Sequence, residues 1–148
     1  MITSDLEEQI KLDLTRHEGC ICEVYLDHLG LPTAGIGHLI EEPGYEVGDE
    51  VSMEQVLEWF DIDYKEAVTD CCALFLNFGS LPDHVKRVLV NMAFNLGRTR
   101  LGHFKNMIRA VNEGNWNKAA DEMVDSKWYR QVGNRSIELV EIMRNGEA

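Results

Sequence analysis

Arg16-His17-Glu18-Gly19-Cys20-Ile21-Cys22-Glu23-Val24-Tyr25-Leu26-Asp27, continuing through His28-Leu29-Gly30-Leu31-Pro32 to Thr33-Ala34-Gly35-Ile36-Gly37-His38-Leu39, is where the chain changes its periodicity. Upstream, Leu6, Ile10 and Leu14 recur at helical spacing behind a Ser4-x-x-Glu7 capping-box pattern, which predicts a helix from Asp5 to Arg16. Gly19 ends that helix, and Glu18 is expected at or just past its carboxyl end, where a side chain is free to point into a cleft. Cys22 to Leu26 and Thr33 to Gly37 are short β-prone pieces separated by Asp27-His28-Leu29-Gly30, so a small hairpin or meander follows rather than a large sheet.

Beyond the hairpin, Glu41 to Asp49 is turn-rich and reads as a surface loop. Ser52-x-x-Gln55 is a second capping box, and Met53, Val56, Leu57, Phe60, Ala67, Val68, Cys71 and Phe75 share one face. A helix over 53–74 has 22 residues and a length of about 33 Å, enough to join two lobes. Further helices are predicted at Asp83 to Leu96 ended by Gly97, Leu101 to Asn112 ended by Gly114, Trp116 to Val124, and Arg135 to Arg144 capped by Asn134. Lys127 to Gln131 reads as a short helical turn between the last two.

The 148 residues carry a formal charge of −12. The acid belongs to the front half, because residues 1–74 hold 18 Asp/Glu against 3 Lys/Arg, whereas 75–148 hold 8 against 11. Such a balance disfavours nucleic acid and anionic lipid as partners. No apolar run approaches the roughly 18 residues of a membrane span, and stable membrane insertion is not expected. The start, Met1-Ile2-Thr3-Ser4-Asp5-Leu6, has neither a basic leader nor an apolar stretch, which points to synthesis in a cytoplasm. Cys20, Cys22, Cys71 and Cys72 fall as C-x-C and C-C rather than as paired C-x-x-C, and read as reduced, mostly buried thiols.

Several motif fragments fail on spacing. Gly35-Ile36-Gly37 lacks the third glycine of a dinucleotide fingerprint, His17-Glu18 lacks a second histidine at Ile21, and Asp61-x-Asp63 is followed by Lys65 and Glu66 where a calcium loop needs an oxygen ligand and a glycine. No metal and no cofactor is expected.

The constellation that remains is Glu18, Asp27 and Thr33 around the turn from helix to hairpin. Any two of 26 acids make a pair, so spacing alone leaves the reading open. Arg16-His17-Glu18-Gly19, Tyr25-Leu26-Asp27, Thr33 to Leu39, Asn91-Met92-Ala93-Phe94-Asn95-Leu96-Gly97, Trp116 with Ala119-Ala120, and Ser126 to Gln131 with Asn134-Arg135 occur in order along nearly the whole chain. Together they closely resemble the phage lysozymes of glycoside hydrolase family 24, the T-even endolysin type, including the spacings of nine residues from Glu18 to Asp27 and six from Asp27 to Thr33.

The resemblance implies an α+β, predominantly helical lysozyme-like fold in a single domain. Its parts would be a small lobe over about 17–62, an inter-lobe helix over about 53–74, and a helical lobe of about 1–16 plus 75–148. It implies Glu18 as general acid, Asp27 as the carboxylate that positions and activates water, and Thr33 as a hydroxyl that helps hold that water. Leu39 and Phe94 fall on sugar-contacting positions, His38 and Asp63 on an ion pair between sheet and long helix, and Arg135 on the arginine that contacts the catalytic glutamate. Met107 and Glu122 stand where relatives carry polar neutral residues, and those contacts are not carried over.

Glycosidic hydrolysis needs a proton for the leaving oxygen and a nucleophile on the opposite face of the sugar, which an acid and a carboxylate supply. The expectation is therefore a muramidase that cleaves the β-1,4 bond between N-acetylmuramic acid and N-acetylglucosamine in bacterial peptidoglycan, with inversion. It would act as a monomer in host lysis, accumulate in the host cytoplasm and reach the wall through a holin-type lesion, with no separate wall-binding domain. A catalytically silent wall binder and an acidic interaction protein are the rival readings, the latter supported only by the charge of the front half.

Overall fold

The computed structural model describes residues 2–146; Met1, Glu147 and Ala148, which belong to the expected single domain, lie outside the described residues. The described chain forms an α+β fold that is mostly helical, with one small antiparallel sheet. The first helix, α1, spans Ser4–Glu18. Its cap is Thr3 rather than Ser4: the Leu6 amide donates to the Thr3 hydroxyl at 3.2 Å and the Glu7 amide to the Thr3 carbonyl at 2.9 Å. The helix also runs two residues past Arg16, because the Gly19 amide still donates to Thr15 in the helical ladder at 2.9 Å.

Three strands follow in the order β1 (Ile21–Leu26), β2 (Pro32–Gly35) and β3 (His38–Leu39), each antiparallel to its neighbour. The turn-rich stretch after them is not only a surface loop. It returns to β1 through a bridge between Glu23 and Glu50, with the Val24 amide donating to the Asp49 carbonyl and the Gly48 amide to the Val24 carbonyl, both at 2.9 Å.

Helix α2 spans Met53–Leu74. Ser52 caps it, its hydroxyl accepting from the Gln55 amide at 3.1 Å. Helix α3, Asp83–Gly102, is broken at Gly97, whose φ of 79° and ψ of 167° leave the helical region. The chain resumes a helical turn there instead of waiting for Leu101, and that residue is fully buried within it. The expected helix from Leu101 accordingly begins later: α4 is Lys105–Asn112, because the His103 and Phe104 amides turn back onto Arg100 and Leu101.

Helices α5 (Trp116–Val124), α6 (Lys127–Val132) and α7 (Asn134–Asn145) complete the chain. Asn134 is the first helical residue of α7 rather than its cap. Gly133, with φ 63°, takes the cap position, and the buried Ser136 hydroxyl spans Tyr129 and Gly133 at 2.7 and 2.8 Å.

The chain divides into two compact units, Met1–Ile10 with Ala67–Ala148, and Lys11–Glu66. The core of the first is Leu6 and Ile10 with apolar faces of the later helices, among them Val85, Leu89, Met92, Leu101, Met123, Leu139 and Ile142. The second packs Leu14, Val24, Ala34, Ile36, Val51, Val56, Trp59, Phe60 and Tyr64. The cysteines depart from expectation: only Cys71 is buried, while Cys20, Cys22 and Cys72 are exposed, and all four are free thiols.

Candidate active site

Glu18 is the last residue of α1, half-buried, and Gly19 with φ 76° swings the chain from it into β1. Its carboxyl lies against the backbone of Gly37. A Cβ at position 37 would stand 2.6 Å from Glu18 Oε1, and Gly37 also holds a φ of 63°. Both the conformation and the close approach favour glycine there.

Asp27 sits at the end of β1, where a tight turn folds back to β2. One of its oxygens, Oδ1, accepts from the Leu29 amide at 2.8 Å and from the Leu31 amide at 2.9 Å. The Leu31 amide foremost, with the Leu29 and Gly30 amides and the His28 side chain, holds the Asp27 carboxyl below the usual carboxylate range against a smaller opposing effect of desolvation. The Leu31 carbonyl accepts from the Asp27 amide at 2.9 Å and from the Thr33 hydroxyl at 3.0 Å. A single residue, Leu31, thus ties the carboxylate and the hydroxyl into one rigid piece, with Thr33 only 6% exposed.

Partial burial, then the Glu18 and Asp27 carboxylates, push the Tyr25 phenol above its ordinary value. Neither Tyr25 nor Leu31 is among the site residues that the sequence marks. Tyr25 had only its place in the Tyr25-Leu26-Asp27 motif as a signal, and Leu31 acts through backbone groups that leave no mark on side-chain type.

On β3, His38 Nδ1 meets Asp63 of α2 at 2.7 Å and its Nε2 meets Glu42 at 3.1 Å. Burial works against the charged imidazole, but the Asp63 and Glu42 carboxylates outweigh it and raise the His38 pKa above its ordinary value. The ring stacks on Trp59 with centroids 4.3 Å apart, and Tyr45 meets the same indole edge-on at 5.5 Å. Leu39, 41% exposed, is the cross-strand partner of Thr33. Glu18, Asp27, Thr33, His38, Leu39 and Asp63 therefore share the unit Lys11–Glu66.

Phe94 and Arg135 belong to the other unit. Phe94 is half-buried on α3, and Arg135 Nε donates to the fully buried Asn91 Oδ1 at 2.9 Å. Within that unit, Arg100, Phe104, Met107, Glu122, Lys127 and Trp128 help to line a cavity of about 430 Å³. Asn95 anchors its indole, accepting from Trp128 Nε1 at 2.8 Å.

Residues 15–146 match the phage lysozyme family. The chain belongs to the phage lysozyme family. Within it, the chain is 27% identical to the probable T4-type lysozyme 2 of Dictyostelium discoideum, across 98% of this chain and 96% of that protein. It is 31% identical to the pre-baseplate central spike protein Gp5 of Enterobacteria phage T4 across 90% of this chain, and 28% identical to the peptidoglycan hydrolase gp36 of Pseudomonas phage phiKMV across 88%. It spans 27% and 14% of the lengths of those two phage proteins. Membership in a lysozyme family supports reading the chain as a glycoside hydrolase. Among the described residues no helix is long and apolar enough to cross a membrane.

Proposed function

We propose that the chain is a muramidase that hydrolyses the β-1,4 bond between N-acetylmuramic acid and N-acetylglucosamine in peptidoglycan, with inversion at the anomeric carbon. The observation that carries the reading is the Asp27–Leu31–Thr33 tether. The Thr33 hydroxyl spends its proton on the Leu31 carbonyl, which leaves its oxygen as an acceptor. The two amides occupy Asp27 Oδ1, and Asp27 Oδ2 is the oxygen assigned to the water. A water that donates one hydrogen to Asp27 and the other to Thr33 turns its lone pair toward the sugar.

In the proposed reaction that water attacks the anomeric carbon and passes a proton to Asp27, while Glu18 gives its proton to the leaving glycosidic oxygen as the carbon–oxygen bond breaks. Such a pathway places the two carboxyl groups about 6.5–9.5 Å apart, wide enough for the water. Leu39 beside Thr33 is assigned to sugar contact, and Phe94 likewise; Arg135 is assigned a supporting role. The biological role assigned is lysis of a bacterial host, with synthesis in the host cytoplasm, passage through a holin-type lesion and action as a monomer.

The test is release of new reducing ends from purified peptidoglycan by the wild type and by Glu18→Gln, with the first-formed anomer read by proton NMR. Wild-type release of the α-anomer, with loss in the variant, is the expected result. A variant as active as the wild type overturns the role of Glu18, a β-anomer overturns inversion, and an inactive wild type overturns the muramidase reading in favour of a silent wall binder.

A further inference from the structure

Three sulfur atoms from three element ends meet on the surface of the unit Lys11–Glu66. Cys20 follows the glycine that ends α1, Cys22 is the second residue of β1, and Met53 opens α2. The Met53 Sδ lies 4.0 Å from Cys20 Sγ and 3.8 Å from Cys22 Sγ. The two thiols, two residues apart in the chain, also interact with each other. Both cysteines are exposed and Met53 is 48% exposed, so an ion reaches the cluster directly from solvent.

The spacing of Met53 from each thiol is that of a ligand set. With metal–sulfur bonds of about 2.3 Å, three sulfurs in a trigonal plane stand about 4.0 Å apart, and the edge shortens to about 3.8 Å if the metal rises toward a tetrahedral arrangement. The donors are two thiols and a thioether, which favour soft ions over hard ones. Zinc sites draw on thiolate, imidazole and carboxylate, commonly four of them. Among the described residues no group of three such side chains is gathered, and the third donor here is a methionine. A three-coordinate, all-sulfur set suits a monovalent d¹⁰ ion.

We propose that Cys20, Cys22 and Met53 form a binding site for Cu(I). Binding releases the two thiol protons to solvent, forms two copper–thiolate bonds and one copper–thioether bond, and involves no change of oxidation state. The site is independent of the muramidase reading, since none of its ligands takes part in that chemistry.

The experiment is an anaerobic titration of the reduced full-length protein with Cu(I) in competition with bicinchoninate, with copper X-ray absorption to count sulfur neighbours. One Cu(I) per chain with three sulfurs is expected. Cys20→Ser with Cys22→Ser is expected to abolish binding, and Cys72→Ser to leave it unchanged. Met53→Leu is expected to weaken binding by at least the tenfold that loss of even an outer-shell partner costs, and to leave two sulfurs on the metal. Circular dichroism checks that each variant is folded, and Met53→Leu, an apolar exchange at an exposed position, decides the matter if the double serine variant is not. A reduced wild type that takes up no stoichiometric Cu(I), binding that survives in the double variant, or a two-sulfur site in the wild type overturns the proposal.

Discussion

Gly37 serves the Glu18 carboxyl by having no side chain, and that makes it the most informative single position near the proposed acid. In Gly37→Ala the new methyl collides with Oε1 of Glu18, which is the far end of a flexible side chain and moves aside. Positive φ at an alanine costs about 1–2 kcal/mol, a drop of only a few degrees in Tm for a chain of this size. Displacement of a catalytic group by about 1 Å costs on the order of a hundredfold in rate. The expected outcome is a folded protein whose kcat on peptidoglycan falls about a hundredfold, checked by reducing-end release beside a thermal melt. Asp27 offers a second prediction. Amide donors favour its ionised form, so the carboxylate persists below the ordinary Asp value of about 3.9, and any stability it contributes is present above the unfolded value and lost as pH falls through the lowered folded one. A carbon-13 NMR titration of the Asp27 carboxyl is expected to give a midpoint below that ordinary value; a midpoint at or above it contradicts the amide tether.

Between elements, the His38 contact fixes β3 to α2, and its pH dependence has a definite sign. A histidine with a raised folded pKa contributes stability that is fully present below the unfolded value of about 6.5 and is lost as pH rises through the folded value. Asp63→Asn is expected to cost about 1.5–3 kcal/mol at mildly acid pH, the range for a hydrogen bond to a charged group, and markedly less once His38 is neutral. Urea unfolding on both sides of the transition measures the difference; a penalty independent of pH contradicts the charged pair. At this scale the expected bounds match the structure at α2, where periodicity and capping box agree, and at α5: Met53–Leu74 and Trp116–Val124. The structure departs from expectation where backbone geometry decides. Gly97 interrupts a helix without ending it, because Leu101 pulls the next turn into the core, and Gly133 displaces Asn134 from the cap. The same limit applies to the candidate site. Its side chains were nameable in one dimension through the family resemblance, whereas Leu31, Gly37 and the approach of Met53 to the cysteines depend on backbone groups and on contacts some thirty residues apart.

Across the whole molecule, nearly all of the net negative charge falls within one of the two compact units. The unit Lys11–Glu66 holds 14 Asp/Glu against Lys11, Arg16 and Lys65, a net −11 of the chain's −12. Two of those three bases are spent on one acid, Lys11 and Lys65 meeting Asp61 at 3.1 and 2.8 Å. With the proposed peptidoglycan substrate, the repulsion of a polyanion therefore comes from the unit that carries Glu18 and Asp27. Since the Debye length is about 8 Å at physiological ionic strength, peptidoglycan hydrolysis is expected to hold or rise as salt increases from low to physiological. Initial rates across a sodium chloride series check this, and a steep fall contradicts it.

The division of the chain also bears on the order in which it folds. Residues up to Ile10 share a compact unit with residues from Ala67 onward, so the 56 residues of Lys11–Glu66 form an insertion within it. Leu6 and Ile10 are synthesised before the partners of their unit, which follow the insertion in the chain. Joining them closes a loop whose entropic cost, near (3/2)RT ln n, is about 3–4 kcal/mol for an insertion of that length. The insertion can settle its own hydrogen bonds while the surrounding unit is still missing its carboxyl-terminal helices, and a truncation of the first ten residues would fall hardest on a core assembled at the far end of the chain.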